Sequence, residues 1–385
     1  MNIFSEIIFC LKKIFLHLER LIPEMKIEIT NAAFYIILAE IIFRSRHPLK
    51  KGFDAMCTWN DNTCKEGQYA FENYSSFEEW KKAAKPALIE HLGLGHWLAM
   101  PRNPVVPESL WKHETDLGTI EKIRFETEPG ESAFAYICLP KRAEKPYKTF
   151  ICLQGHSTGM HNSIGVEWKD ELIPKVIEGD RDFAIGCLKR GLAAVCLEQR
   201  AMGERGTSPE RAPSCYEPST AMLLYNRTMI GARIYDVDRL IDYLYTRSDL
   251  DFRTLGIMGN SGGGTTSMFA GALLDRITHV MPSCSFSSFK ESIGAMYHCI
   301  CNFVPGLLLY GESADVVGLA APKPMVIVNG RFDPIFPLAA ADRQFERLRR
   351  IYKAAGKEEN CVHVVGEGEH RFYADIAWNA MERFL

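Results

Sequence analysis

Ser261 lies in the run Leu255-Gly256-Ile257-Met258-Gly259-Asn260-Ser261-Gly262-Gly263-Gly264, where a short apolar stretch passes into G-x-S-x-G and then Thr265-Thr266-Ser267-Met268-Phe269-Ala270. An apolar strand that turns sharply into a helix at a serine is a nucleophile elbow. The turn strains the serine backbone, and flanking glycines, which lack Cβ, remove the resulting collisions. The hydroxyl is lifted above the sheet, next to the unpaired N–H groups of the helix start. The same pattern also occurs as a glycine-rich turn without chemistry, so the remaining residues must decide.

A nucleophilic serine needs a base to take its proton and a carboxylate to orient that base. In this architecture the partners follow on loops after later strands, in the order serine, acid, histidine. Met325-Val326-Ile327-Val328-Asn329-Gly330 reads as a strand with Asp333 just beyond it, and Val362 to Val365 as a last strand with His370 just past it. Each partner taken singly has a plainer reading: Asp333-Pro334 is a common turn starter, and a lone histidine after a strand is usually a surface residue. The joint arrangement of elbow, strand-Asp and strand-His is what points to a triad. Glu367 and Glu369 are rival acids, but Glu369 adjoins His370 and its side chain would point away, so Asp333 is preferred.

Attack by a serine on a carbonyl places negative charge on the former carbonyl oxygen, which two preset N–H donors stabilise; losing one costs on the order of 3 kcal/mol. Gly262, the residue after the nucleophile, supplies one N–H. The second is expected from Gln154-Gly155-His156-Ser157-Thr158-Gly159, from His156 first and Ser157 second. A zinc site built from His156 and His161 has no third-ligand pattern beside it, and no metal is expected.

The elements that must hold these residues read as follows. Ser76 can cap a helix, with Glu79 closing a capping box, and that helix runs toward Leu92 and stops near Gly93 and Gly95. Pro101, Pro104 and Pro107 mark an extended connector. Thr119 to Glu126 and Ala133 to Leu139, separated by Pro129-Gly130, read as a hairpin. Short apolar strands follow at Thr149 to Leu153, Leu192 to Leu197, Leu255 to Met258, Thr278 to Met281, Met325 to Val328 and Val362 to Val365. Helical stretches lie between them, most clearly Ile230 to Leu244. Such alternation means a parallel sheet covered on both faces. The expectation is one α/β domain over 111–385 and a helical extension over 1–110.

The chain has 385 residues, 47% hydrophobic and 24% charged, with a net charge of -3. That balance fits a globular enzyme and carries no basic footprint for nucleic acid. Met1 to Leu21 holds Glu6, Lys12, Lys13, Glu19 and Arg20 within an apolar stretch and fits an amphipathic helix better than a signal peptide. Ile29 to Phe43 is too short to span a bilayer and is interrupted by Glu40. No integral membrane span is expected; a peripheral membrane contact, or a partner such as a second copy in a homo-oligomer, stays open. The twelve cysteines are scattered, with Cys138, Cys152, Cys187 and Cys196 inside apolar runs, and Cys299-Ile300-Cys301 has the wrong spacing for a zinc knuckle. They read as reduced thiols of a cytoplasmic protein.

Taken together, residues from about 120 to 385 resemble the α/β-hydrolase superfamily, and within it the dienelactone-hydrolase-like and acetyl-xylan-esterase-like carboxylesterases. The resemblance rests on Gln154-Gly155-His156, on Glu198-Gln199-Arg200-Ala201-Met202-Gly203-Glu204-Arg205-Gly206 and on the helix from Met229 to Leu244. It rests further on Gly259 to Gly264, Asn329-Gly330-Arg331-Phe332-Asp333-Pro334 and Gly366 to His370. It implies an α/β-hydrolase fold with a mostly parallel sheet and an antiparallel N-terminal hairpin. It also implies a serine hydrolase using Ser261, Asp333 and His370, and no cofactor. A dienelactone hydrolase proper uses a cysteine nucleophile; the serine here favours an esterase. Residues 1 to about 70 match no part of that pattern.

The expected reaction is hydrolysis of a short-chain, acetyl-type ester, of a sugar among other small molecules, through an acyl-serine. A peptidase of the prolyl-oligopeptidase type is the enzymatic alternative, but the chain lacks room for a propeller and shows no blade repeat. A catalytically silent hydrolase fold used for binding would leave the three triad positions unfilled. Arg200 could bind a substrate carboxylate or pair with Glu198 or Glu204. Arg205, Arg211, Tyr216 and Tyr225 are expected at the pocket rim, and Phe332, Phe336 and Phe286 on the acyl side.

Overall fold

Side chains alternate across a strand, and here the alternation sorts apolar residues into two cores. Ile151 and Leu153, Val195 and Leu197, and Ile257 and Ile327 enter one cluster. Their neighbours Phe150 and Cys152, Ala194 and Cys196, Met258, and Val326 and Val328 enter the other. A sheet apolar on both sides must be covered on both sides. The computed structural model describes residues 66–385; the helices expected at Met1 to Leu21 and Ile29 to Phe43 lie outside them.

The described chain runs α1 (Phe77–His91), α2 (Gly95–Leu98), β1 (Glu108–Glu114), β2 (Gly118–Glu128), β3 (Glu131–Pro140), β4 (Tyr147–Leu153), α3 (Phe183–Lys189) and β5 (Ala193–Leu197). It continues with α4 (Tyr216–Leu223), α5 (Met229–Leu244), β6 (Leu250–Asn260), α6 (Gly262–Leu273) and β7 (His279–Ser283). After these come α7 (Ser313–Gly318), β8 (Met325–Gly330), α8 (Leu338–Ala354), β9 (Cys361–Gly366) and α9 (Ala374–Met381). The nine strands form one sheet in the order β1-β2-β3-β5-β4-β6-β7-β8-β9. The pairs β1–β2, β2–β3 and β3–β5 are antiparallel. All pairs from β5 through β4 and β6 to β9 are parallel. Side chains of α1, α2, α5, α6, α7 and α8 pack on one face, and those of α3 and α9 on the other.

Two differences from the sequence reading have physical causes. Strand β1 has no counterpart among the strands expected from the sequence: all its side chains are exposed except the half-buried Trp111, so an edge strand leaves no apolar alternation to read. The described residues 66–110, expected as part of a separate helical extension, pack with the sheet. Phe77, Trp80, Ala84, Leu88, Leu92 and Trp97 are buried in the same core as β2, β4, β6 and α5, and Thr228 caps α5 while its hydroxyl donates to the Leu92 carbonyl at 2.9 Å. The expected cap of α1 is present, with Glu79 N–H donating to Ser76 Oγ at 3.2 Å. The Glu79 carboxylate reaches back to Ser75 rather than to Ser76, accepting from its hydroxyl at 2.5 Å.

Candidate active site

Strand β6 ends at Asn260 and α6 begins at Gly262, so Ser261 alone makes the turn, with φ 56° and ψ -122°. A side chain in that region is strained, and the strain is held by its neighbours. The Ser261 N–H donates to the Ser283 carbonyl at 2.8 Å, and the Ser261 carbonyl accepts from Thr265 N–H at 2.8 Å. Close packing dictates glycine on either side: a Cβ on Gly259 would lie 2.6 Å from the Leu153 carbonyl oxygen, and one on Gly263 2.1 Å from it. The Ser261 hydroxyl makes no hydrogen bond among the described residues. A serine held ready for substrate is commonly so, because such bonds tighten only when substrate binds.

Asp333 follows β8 and His370 follows β9. The two loops are stitched by backbone bonds from Arg331 N–H to the Gly366 carbonyl at 2.8 Å and from Phe332 N–H to the Gly368 carbonyl at 2.9 Å. Across that seam His370 Nδ1 lies 2.7 Å from Asp333 Oδ2. The other Asp333 oxygen accepts from the N–H groups of Ile335 and Phe336, each at 3.0 Å. Burial raises the Asp333 pKa, but the His370 hydrogen bond and charge and the two N–H groups outweigh it and hold the carboxyl below its ordinary range. The His370 loop also bends back over β7. The Arg371 carbonyl accepts from Ser283 Oγ at 3.4 Å, and Ser283 is the residue whose carbonyl holds Ser261. Serine, aspartate and histidine thus stand at the carboxyl ends of β6, β8 and β9 in one neighbourhood. Glu367 pairs with Arg331 at 2.7 Å on the surface, and Glu369 is exposed, so Asp333 is the acid in contact.

On the other side of Ser261, the loop after β4 meets the start of α6. Gly262 is the first residue of α6, and the N–H groups of a helix's first turn have no partner within the helix. His156 follows β4, and its ring lies against the same spot: a Cβ on Gly262 would be 3.0 Å from His156 Cε1 and Nδ1. Neither the His156 nor the Ser157 N–H donates a hydrogen bond among the described residues.

The residues expected to touch substrate divide. Phe336 is buried and stacks on the His370 ring at 5.8 Å between centroids, while Phe332 is exposed at the rim. Phe286 is fully buried in the core. Arg200, expected at the substrate, is instead buried and gripped by Asp236 through Nε at 2.9 Å and Nη2 at 2.7 Å, with Glu128 at 2.6 Å. Arg205 joins the same carboxylate at 2.6 Å and Glu131 at 2.5 Å, and Arg211 pairs with Glu204 at 3.4 Å. The arginines of this loop hold it together, while Tyr216 and Tyr225 stand exposed. His161 has both ring nitrogens engaged, with Thr158 Oγ1 at 2.7 Å and the Val166 carbonyl at 2.6 Å, and is no partner for His156.

Three features escaped the sequence reading. His298 packs on Phe336 at 5.1 Å, its Nε2 3.1 Å from Ser292 Oγ, and burial lowers its pKa. Glu198 is buried against the loop after β4 and accepts from Met160 N–H at 3.1 Å and Glu204 N–H at 3.3 Å. Burial pushes its carboxyl up to about 8 despite those bonds. Third, Cys215, Cys299 and Cys301 converge on His156. The run His298-Cys299-Ile300-Cys301 was the visible trace of two of these features.

The sequence profile of the Abhydrolase family matches residues 65–384. The chain belongs to that family. A Bacillus subtilis (strain 168) protein named as a candidate hydrolase, YtaP, is 27% identical over 287 residues, covering 74% of this chain and 93% of its own. Among solved structures, a candidate acetyl xylan esterase from Bacteroides fragilis NCTC 9343 superposes with a TM-score of 0.64 at 18% identity, covering 81% of this chain and 80% of the other. A glucuronoyl esterase from Solibacter usitatus gives 0.58 at 13% identity, covering 83% and 96%. These likenesses carry the α/β-hydrolase fold of this Abhydrolase. No helix of the described residues is long and apolar enough to cross a membrane.

Proposed function

We propose that this chain is a serine carboxylesterase that cleaves short acyl esters, of the acetyl kind, on carbohydrate-like alcohols. The observation that carries the proposal is the 2.7 Å bond between His370 and Asp333 beside an elbow serine at φ 56°. In this reading Ser261 Oγ attacks the carbonyl carbon while His370 Nε2 takes its proton. His370 then protonates the departing alcohol, and a water deprotonated by His370 releases the acid from the acyl-serine. Asp333 fixes the imidazole with Nδ1–H toward itself and stabilises the imidazolium. The N–H groups of Gly262 and His156 meet the oxyanion.

The carbohydrate side is supported by the structural neighbours named for acetyl xylan and glucuronoyl esters. It is supported again by the groove at His370, of about 610 Å³ and lined by Glu178, Asp180, Arg181 and Arg371. Such charged walls suit hydroxylated substrates better than long acyl chains. The test compares p-nitrophenyl acetate, acetylated xylo-oligosaccharides and a peptide anilide. Ester turnover that vanishes in Ser261→Ala is expected; preference for the anilide, or no turnover of any of them by folded protein, would refute the reading.

A further inference from the structure

Behind the oxyanion loop, His156, Cys215, Cys299 and Cys301 place one donor atom each within 4.8 Å of all the others. His156 Nε2 is 3.2 Å from Cys301 Sγ. Cys215 and Cys301 are buried with Met202 and Met229 in a small cluster of their own. Next to the sulfurs stands Arg233, 2% exposed. Its Nη1 donates to Cys301 Sγ at 3.4 Å and its Nη2 to Cys215 Sγ at 3.5 Å. It forms no ion pair with a carboxylate among the described residues; its other acceptor is the neutral Arg200 carbonyl, at 2.8 Å.

A buried guanidinium requires a compensating negative charge, and around Arg233 only thiolates can supply it. From this geometry we propose that the four residues form a Cys₃His site for a zinc ion. Tetrahedral zinc, with bonds of about 2.3 Å to sulfur and 2.0 Å to nitrogen, sets its donors about 3.5–3.8 Å apart. The farthest donors, up to 4.8 Å apart, therefore need to close by about an ångström, while His156 Nε2 and Cys301 Sγ, 3.2 Å apart, need to spread by a few tenths. Zn²⁺ with three thiolates and a neutral imidazole carries one negative charge, which the single positive charge of Arg233 balances. The thiol protons leave to solvent as the metal enters. A disulfide between Cys215 and Cys301 would leave Arg233 buried without an anion, so the cluster is built for metal rather than oxidation.

Four protein ligands close the coordination sphere, which makes the site structural rather than hydrolytic. It ties together three separate stretches: the loop after β4, the N-terminal cap of α4 at Cys215, and the turn at 299–301. Through His156 the tie reaches the loop proposed to supply the second oxyanion donor. Ligand spacing in the sequence hid the site, because its donors come from three distant loops rather than a C-x-x-C pair.

The test reads metal and needs no substrate, so it stands or fails apart from the esterase reading. The full chain, expressed with zinc in the medium and dialysed, is analysed by inductively coupled plasma mass spectrometry. About one zinc per chain is expected. The content should fall at least tenfold in Cys301→Ser and in the less buried Cys299→Ser, which guards against misfolding of the first. Replacing zinc by Co²⁺ should produce thiolate charge-transfer absorption and tetrahedral d–d bands, lost in both variants. In the wild type the three thiols should resist alkylation until a chelator is added. Zinc no higher than in the variants, or thiols alkylated equally fast with and without chelator, or a Cys215–Cys301 disulfide found by peptide mapping, would overturn the proposal.

Discussion

The two sides of the site are built by different means. On the acid–base side, Asp333 and His370 leave the ends of adjacent parallel strands, and backbone hydrogen bonds between their loops bring the side chains together. On the side proposed to hold the oxyanion, His156, Cys215, Cys301 and Arg233 come from loops and a helix far apart in the chain, and what joins them is side-chain contact. The first side inherits its geometry from the sheet. The second must be assembled by buried charge and sulfur, so it is where changes remote from the serine should be felt.

That contrast can be probed in order of expected effect. Ser261→Ala removes the attacking oxygen and should lower kcat toward p-nitrophenyl acetate by about 10⁶-fold, by analogy with other serine hydrolases, with no change in Tm. Asp333→Asn should cost about 10⁴-fold in kcat, because the imidazole loses its orienting charge. A matching KM and thermal stability would separate orientation from folding. Removing the buried cation in Arg200→Met leaves Asp236 with Arg205 alone and Glu128 without this partner, and should lower unfolding free energy in urea by about 2–3 kcal/mol. KM for small esters should change little, whereas a large KM effect with unchanged stability would restore Arg200 as a substrate contact.

The remaining effect is one of pH and concerns Glu198. Its carboxyl is raised by burial to about 8, above the value near 4.3 of an unfolded glutamate. Between those values the folded chain holds a proton that the unfolded chain releases. This contribution is therefore complete below about pH 4.3, declines as pH rises, and is gone above about 8. Urea titrations at several pH values should show that slope in the wild type and a flatter one in Glu198→Gln; equal slopes would place the effect elsewhere.

The turn at Ser261 and the pairing of Asp333 with His370 were readable in advance. An apolar run ending in glycines around Ser261, then a strand followed by Asp333 and another by His370, are signals each local to a few residues. The sheet's covered strands were legible for the same reason, since continuous apolar runs mark burial on both faces. What stayed hidden depended on long-range packing. Strand β1 is an edge with little to bury. Helix α1 could be read as a helix, but not that Trp80 and Leu88 share the core of the sheet. The Arg200 loop looked like a binding rim because its partners, Asp236 on α5 and Glu128 on β2, are not its sequence neighbours. The sulfur cluster was invisible for the same reason.

The central claim is that Ser261 becomes acylated, and a covalent probe reads it directly. The full chain is treated with a fluorophosphonate and analysed by peptide mass spectrometry. One adduct per chain on the peptide carrying Ser261, absent in Ser261→Ala and formed far more slowly in His370→Ala, is the predicted result. Folded protein that takes no label, or takes it at another residue, would contradict the account.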